Sequence, residues 1–438
     1  MNQADIVVIG AGAAGLIAAQ RLSSEGRRVI ILEARPRIGG RINTISKQPF
    51  SRHIEGGAEF VHGNLPLTLD LLKEAGIEYT PVRGEMWQHK KGQLIQQEDF
   101  LPDGEIIAQK LQDLERDISL NEFLLTHFSD NKYTDLREDI RRFVEGYDAA
   151  DVNRASVAAL ASEFAEQEED QYRIKGGYIS ILSYLEQKCR AQGCDIVLDS
   201  SVKRITWKPG QAEVTATNGE VYAAGQVLIT VPIGILQAVP GDANAIEFSP
   251  DIPEKLAAAK AIGFGPVIKF SLGFKTPFWI HPAPAKNLSN MGFLFSDAAV
   301  PTWWTQAPES SNLLTGWLAG PKCHSFAGAC NEELLKNALH SLAVIFNTDE
   351  TDLRASLLAW HISNWATDAY SRGAYTYSTV GDHVARKTLM EPVKGTLFFA
   401  GEGAYIGPDT GTVEAAIYSG LEASKAILQS SLAQMDTD

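Results

Sequence analysis

The stretch ADIVVIGAGAAGLIAAQ, residues 4–20, and its continuation VIILEARPRIGGR, residues 29–41, decide the fold. Residues 6–9 are a β-branched apolar run that stops at Gly10, the pattern of a parallel strand buried on both faces. Gly10 permits a tight turn, Gly12 lets the backbone approach a pyrophosphate, and Gly15 lets the following helix pack on the strand. Ala13 opens that helix, whose first N–H groups favour an anion. A second strand over 28–32 ends at Glu33, whose carboxylate can accept hydrogen bonds from both hydroxyls of an adenosine ribose, with Ala34 and Arg35 beside it. Strand, glycines, helix, strand and terminal acid in register predict a dinucleotide-binding unit with an unphosphorylated ribose, and leave NAD and FAD undistinguished.

The continuation narrows the choice. Arg37, Gly39, Gly40 and Arg41 follow the ribose acid, so paired glycines and a guanidinium would meet a bound pyrophosphate and flavin. Near the other end, LFFAGE (397–402) leads into TGTVEAAIYSG (410–420). Together with IEGGAEFVHG (54–63), FGPVIKFSLGF (264–274) and HISNWATDAYSRGAYTYSTVG (361–381), these segments resemble the flavin-containing amine oxidoreductases. That family includes monoamine oxidases, polyamine oxidases and histone lysine demethylases, and the motifs here are most similar to those of polyamine oxidases. The resemblance covers nearly the whole chain, most strongly 4–63, 261–279 and 360–427. It implies an α/β fold in two domains. A Rossmann-like FAD-binding domain is assembled from 1–78, 176–240 and 393–438, and a substrate domain with a mixed β-sheet and helices from 79–175 and 241–392.

The resemblance also implies roles for single residues. Gly57 and Ala58 would lie against the isoalloxazine, Gly401 and Glu402 by the ribityl or pyrophosphate groups, and the backbone of Thr412 and Val413 at the flavin. Val202 would meet the adenine through its backbone, or is simply a core valine. Trp365 would stand beside the flavin ring and Tyr375 on the substrate side. Monoamine oxidases carry a flavin-tethering cysteine just before that tyrosine; Ala374 stands there, so FAD should be held without a covalent bond. Thr412 occupies the place of a second caging tyrosine, which widens the throat on the substrate side. Lys269, after a G-x-x-x-K pattern, would reach flavin N5 through a water and assist reoxidation by oxygen, the alternative being an exposed strand lysine. Glu59 and His62 would face the channel. His62 matches a histidine of animal polyamine and spermine oxidases, and Glu59 would hold a distal ammonium or else cap a helix at Asn64.

Composition bounds the rest. A chain of 438 residues with 45% hydrophobic content is large enough for two cored domains. The net charge of −15 disfavours nucleic-acid binding and suits a cationic substrate, while the acidic run EFAEQEED (163–170) reads as a solvated face. Four cysteines without CxxC spacing fit a reducing compartment and predict no metal site. No stretch approaches the ~20 apolar residues of a membrane span, and neither a signal peptide nor a tail anchor is expected, so the protein is read as cytoplasmic. Periodicity predicts a helix over 63–76, helices through 111–164, a helix after the glycine turn in 173–189, one strand over 195–207, and a hairpin at Asn218–Gly219. It further predicts strands over 267–274 and 313–320 and a helix over 331–346.

The expected activity is FAD-dependent oxidation of a polyamine or related primary or secondary amine. Hydride passes to flavin N5, the imine hydrolyses to an aldehyde, and O2 is reduced to hydrogen peroxide. An L-amino-acid oxidase, for which no carboxylate-binding arginine motif is evident, and an aromatic monoamine oxidase are the enzymatic alternatives. A flavin-stabilised interaction protein is the alternative of another class. The expected partners are a small-molecule amine and O2, with no nucleic acid and no membrane anchor, and with a homodimer left open.

Overall fold

The computed structural model describes residues 2–97, 104–112, 114–165, 170–280 and 287–435. The acidic run at 163–170 falls largely outside them. Five parallel strands stand side by side in the order Asp195–Val197, Val29–Leu32, Asn2–Ile9, Val221–Ile229 and Leu397–Phe399. Val7 and Val8 have no exposed surface, as both faces of the first strand are covered. On one face lie the helices Ala13–Ser24, Ile179–Ala191 and Val413–Met435. On the other, strands Val202–Lys208 and Gln211–Ala216 fold over with the helices Pro253–Ala261 and Asp382–Met390. The two ends of the chain therefore build one sheet, flanking the strand Val221–Ile229.

The single strand expected over 195–207 is two. Asp195–Val197 joins the parallel sheet edge, and Val202–Lys208 starts an antiparallel pair with Gln211–Ala216. Between them Asp199 takes a positive φ of 51°, and Ser200 donates its N–H to the Glu33 carbonyl, 2.8 Å away. The helix expected over 63–76 runs Pro66–Ala75, entered through proline and closed by Gly76 at φ 65°. Its N-terminal cap comes from across the molecule. The N–H groups of Leu67 and Thr68 and the Thr68 hydroxyl donate to the buried Glu414 carboxylate at 2.8, 2.8 and 2.7 Å.

The second sheet has seven strands, in the order Leu357–Asn364, Val267–Phe274, Leu313–Ala319, Thr302–Trp304, Met291–Ser296, Glu85–Lys90 and Gln93–Gln97. Helix Asn331–Phe346 covers it through Leu335, Leu339 and Leu342. Helices Leu120–His127, Thr134–Tyr147 and Val157–Ala165 form a further core around Phe123 and Ile140. The strand Glu247–Ser249 pairs with Val202–Lys208, and Ile252, Ala259, Ile262 and Leu389 share the core of Val7 and Phe399. We therefore propose domain boundaries at 262 and 382 in place of 240 and 393.

Candidate active site

The carboxyl ends of the parallel strands open onto a continuous cavity of ≈ 570 Å³. It extends from Glu33 to an aromatic chamber against the second sheet, and every residue singled out above as a site candidate lines it except Gly15 and Arg37. Gly15 acts in packing instead: a Cβ there would sit 2.0 Å from the Gly10 carbonyl oxygen. Gly10 holds φ 107°, a backbone conformation that side chains disfavour. Gly12, in the cavity wall, would place a Cβ in open space, with no atom within 4 Å, which leaves room for a ligand against the backbone.

Glu33 ends its strand 5% exposed. Its two oxygens accept the N–H groups of Ala11 at 2.8 Å and Arg35 at 3.0 Å, leaving lone pairs for a ribose. Burial pushes its pKa above the ordinary carboxylate range, against the lowering effect of those donors. Val202 is buried in the same wall. The Arg35 guanidinium forms a bidentate pair with Asp368 at 3.1 and 2.5 Å and lies over the Trp365 and Tyr370 rings. It thereby ties the ribose loop to the aromatic segment.

Three side chains have partners within the protein that the sequence did not announce. Arg37 donates to the carbonyls of Ile38, Gly40 and Ile42, fastening its own loop. Glu402 was expected to contact the cofactor. It lines the cavity, and its carboxylate accepts from Arg41 at 2.6 Å and from the N–H and hydroxyl of Thr376, so it also holds Arg41, which donates to the Ala374 carbonyl at 2.7 Å. Thr412 stands in the cavity wall, and its hydroxyl serves the backbone. It accepts the Ala415 N–H at 3.1 Å and donates to the Asp409 carbonyl at 2.6 Å, capping the last helix, whose first residue Val413 lies at the cavity.

At the aromatic end, Trp365 is buried and its indole N–H donates to the Gly56 carbonyl at 2.8 Å. Any side chain at Gly57 would strike the Arg41 carbonyl oxygen at 1.7 Å. The Tyr375 hydroxyl donates to the Tyr147 carbonyl at 2.5 Å, and its ring stacks on Trp317, which leans on Trp304. His62 sits edge-on to both Phe60 and Tyr147. Burial pushes its pKa down to about 4, so the imidazole is neutral at pH 7.

Lys269 is 2% exposed and donates to the Glu59 carboxylate at 2.7 Å and to the Gly57 carbonyl at 3.0 Å. The other Glu59 oxygen accepts from the Trp304 indole at 3.0 Å and from Arg173 at 3.2 Å. Although burial opposes ionisation, these two cations and the hydrogen bonds hold the Glu59 pKa down at about 2. The expectation that Glu59 grips a distal ammonium is thus corrected, because its charge and lone pairs are already taken. Arg173, Trp304, Trp317 and Tyr147 escaped the sequence reading. The abundance of Trp and Phe beyond residue 241 was the only signal for two of them.

A parallel sheet that carries a glycine turn and a ribose acid, and that opens toward a dry aromatic chamber, belongs to oxidoreductases built on a dinucleotide cofactor. The chain belongs to the flavin containing amine oxidoreductase family, which matches residues 13–428. It is 27% identical over 436 residues to human lysine-specific histone demethylase 2, covering 91% of this chain and 50% of that protein. The chain thus spans about half the length of that relative. It is 26% identical to polyamine oxidase 5 of Oryza sativa subsp. japonica, covering 96% and 87% of the two chains. Its fold matches a putrescine oxidase triple mutant at TM-score 0.79 and 22% identity, covering 98% and 99%. It also matches cyclohexylamine oxidase from Brevibacterium oxydans at TM-score 0.78 and 20% identity, covering 97% and 99%.

The cofactor is FAD, and the cavity fits it: Glu33 is at the ribose end, Gly12 and the helix start Ala13 are in the middle, and Lys269 and Trp365 are at the far end. Among the described residues no cluster suits a metal, and no helix is long and apolar enough to cross a membrane. Ala374 offers no thiol for a tether. Acid precipitation is therefore expected to leave all the flavin in the supernatant, and colour retained in the washed pellet would refute a non-covalent cofactor.

Proposed function

We propose that the protein is an FAD-dependent amine oxidase that converts an amine to an imine, and thence an aldehyde, and reduces O2 to hydrogen peroxide. The observation that carries this reading is the shared cavity, in which a nucleotide end, a buried lysine and an aromatic chamber are continuous. When bound, FAD supplies N5 as the hydride acceptor. Trp365, Tyr375 and Trp317 would exclude water and orient the C–H bond, while neutral His62 leaves the amine lone pair unopposed by a local charge. Lys269 would hold its ammonium where negative charge grows on oxygen.

One support for a polyamine has weakened, since Glu59 is committed to Lys269 and Arg173. Asp139, also in the cavity wall, is paired with Lys90 at 3.1 Å. We therefore place a primary amine with a compact apolar body ahead of a polyamine. A second ammonium in such a chamber would find Glu59 and Asp139 already paired, and a buried charge without a partner is costly. The polyamine remains the second reading, favoured by the net charge of −15. The four free thiols suit the cytoplasm as its place of action.

A peroxide assay over benzylamine, cyclohexylamine, putrescine, spermidine and L-amino acids tests the reading. A ring-bearing monoamine is expected to exceed spermidine in kcat/KM by about tenfold or more. A reversed order would install the polyamine, and peroxide from none of them would overturn the oxidase.

A further inference from the structure

Lys269 lies within the strand Val267–Phe274, which is buried at every position, so its ammonium depends on whatever anion the fold brings to it. That anion is Glu59, on a segment that also presents the Gly57 carbonyl to the same nitrogen. Glu59 is itself fixed from the far side. Arg173 donates to it and to the carbonyls of Thr305 and Ala307, both at 2.9 Å, and its guanidinium lies over the Phe60 ring. One carboxylate is thus clamped between a buried and a part-buried cation and an indole N–H, a unit with a net charge of one positive. Glu59, Lys269 and Trp304 line the same cavity as Trp365 and Gly57, with Arg173 behind them, and nothing in the amine-binding role once expected of Glu59 requires such clamping.

We propose that Glu59 is a positioning residue for the oxygen reaction: it holds the Lys269 ammonium at a single place and in a single charge state at the flavin edge, and Arg173 locks Glu59 in turn. The inference rests on the amine oxidase reading. In that reaction O2 takes two electrons and two protons to leave as hydrogen peroxide. Both electrons and one proton come from the reduced cofactor, and the second proton from solvent. Negative charge on oxygen precedes full protonation, and a fixed cation offsets it only if the lysine neither swings away nor loses its proton. Without the Glu59 charge, the ammonium would keep the Gly57 carbonyl but lose the carboxylate that offsets Arg173, and repulsion and burial would both favour neutral lysine.

Other groups around the pair must be controlled. Glu55 is raised to about 7, chiefly by burial, while accepting from Thr44 and the Tyr178 N–H, and it interacts with both Lys269 and Glu59. His53, lowered chiefly by burial, and Arg52 share with Glu55, Glu59 and Arg173 a small cavity of ≈ 20 Å³ behind the pair. Glu55→Gln is therefore the control.

Stopped-flow measurement of anaerobic reduction by amine and of reoxidation by O2, each across pH, tests the proposal on Glu59→Gln holoenzyme. Reoxidation is expected to acquire a new inflection and to fall about tenfold as pH rises through it, with reduction changed little. The absorbance of the bound oxidised flavin should titrate with the same midpoint, a readout independent of turnover. Wild type should show only the titration of Glu55 near neutrality, and Glu55→Gln should show neither that inflection nor the new one. Equal losses in both half-reactions, or slowing without a new inflection, would overturn the proposal and make Glu59 structural. Should Glu59→Gln fail to fold, Glu59→Asp replaces it: a carboxylate set back by one methylene should slow reoxidation several-fold with reduction unchanged, and equal losses would again overturn it. If wild type oxidises no amine, the function reading falls, whereas the absorbance titration still decides the placement of Lys269.

Discussion

Lys269→Met is expected to slow reoxidation of the reduced enzyme by O2 on the order of 100-fold, while reduction by amine changes only a few-fold. The asymmetry follows from where charge develops. Hydride transfer would place its negative charge on the flavin, whose ring system spreads it, whereas electron transfer to O2 would create a small anion that a fixed ammonium offsets in a site shielded from water. Stopped-flow traces in which reduction slows as much as reoxidation would remove Lys269 from this role. The substitution also strips Glu59 of one of its two cations, although Arg173 and the Trp304 indole remain. A stability loss of about 1–3 kcal/mol is expected from that missing partner, measurable by denaturant unfolding of the apoprotein. A larger loss would mean that the pair carries more of the local fold than Arg173 can sustain.

Glu33→Ala is expected to raise the FAD dissociation constant by on the order of 100-fold or more. Two charge-assisted contacts to the ribose disappear, each worth about 1.5–3 kcal/mol. The structure adds a second source of loss, because the same carboxylate gathers the N–H groups of Ala11 and Arg35 and so shapes both loops of the nucleotide site. Flavin fluorescence released on dilution reads the effect directly. Retention equal to wild type would show that the ribose is held elsewhere.

The nucleotide half of the site was legible because its signals are local. A β-branched run, three glycines and an acid within a short stretch each answer to backbone geometry, and the parallel sheet follows. Strand Val267–Phe274 and helix Asn331–Phe346 were legible for the same reason, being long and uniformly patterned. What sequence could not supply was the partner of a charge. Nothing near Glu59 announces that Arg173, Lys269 and Trp304 converge on it, and a lone glutamate beside a channel motif reads naturally as a substrate ligand. The side-chain partners of Thr412 and Glu402 were hidden for a related reason. Each was judged by its place in a motif, while its side chain answers to Ala415 in one case and Arg41 in the other. The break between Asp195–Val197 and Val202–Lys208 was hidden because alternation continues through the turn at Asp199.

The placement of both chain ends in one sheet also governs how the protein can be made. Strand Asn2–Ile9 leaves the ribosome well before Leu397–Phe399 and the helix that carries Glu414. At ribosomal rates of ~5–20 residues per second, the interval is roughly 20–80 s. Until then, helix Pro66–Ala75 lacks the carboxylate that caps it, and helix Ala13–Ser24 lacks the packing of Val413–Met435. The nascent nucleotide half must therefore wait as an open, apolar surface, which makes it a natural client for a chaperone. Cofactor capture is set as a late event, and ribosome-bound chains halted before residue 397 should bind no flavin.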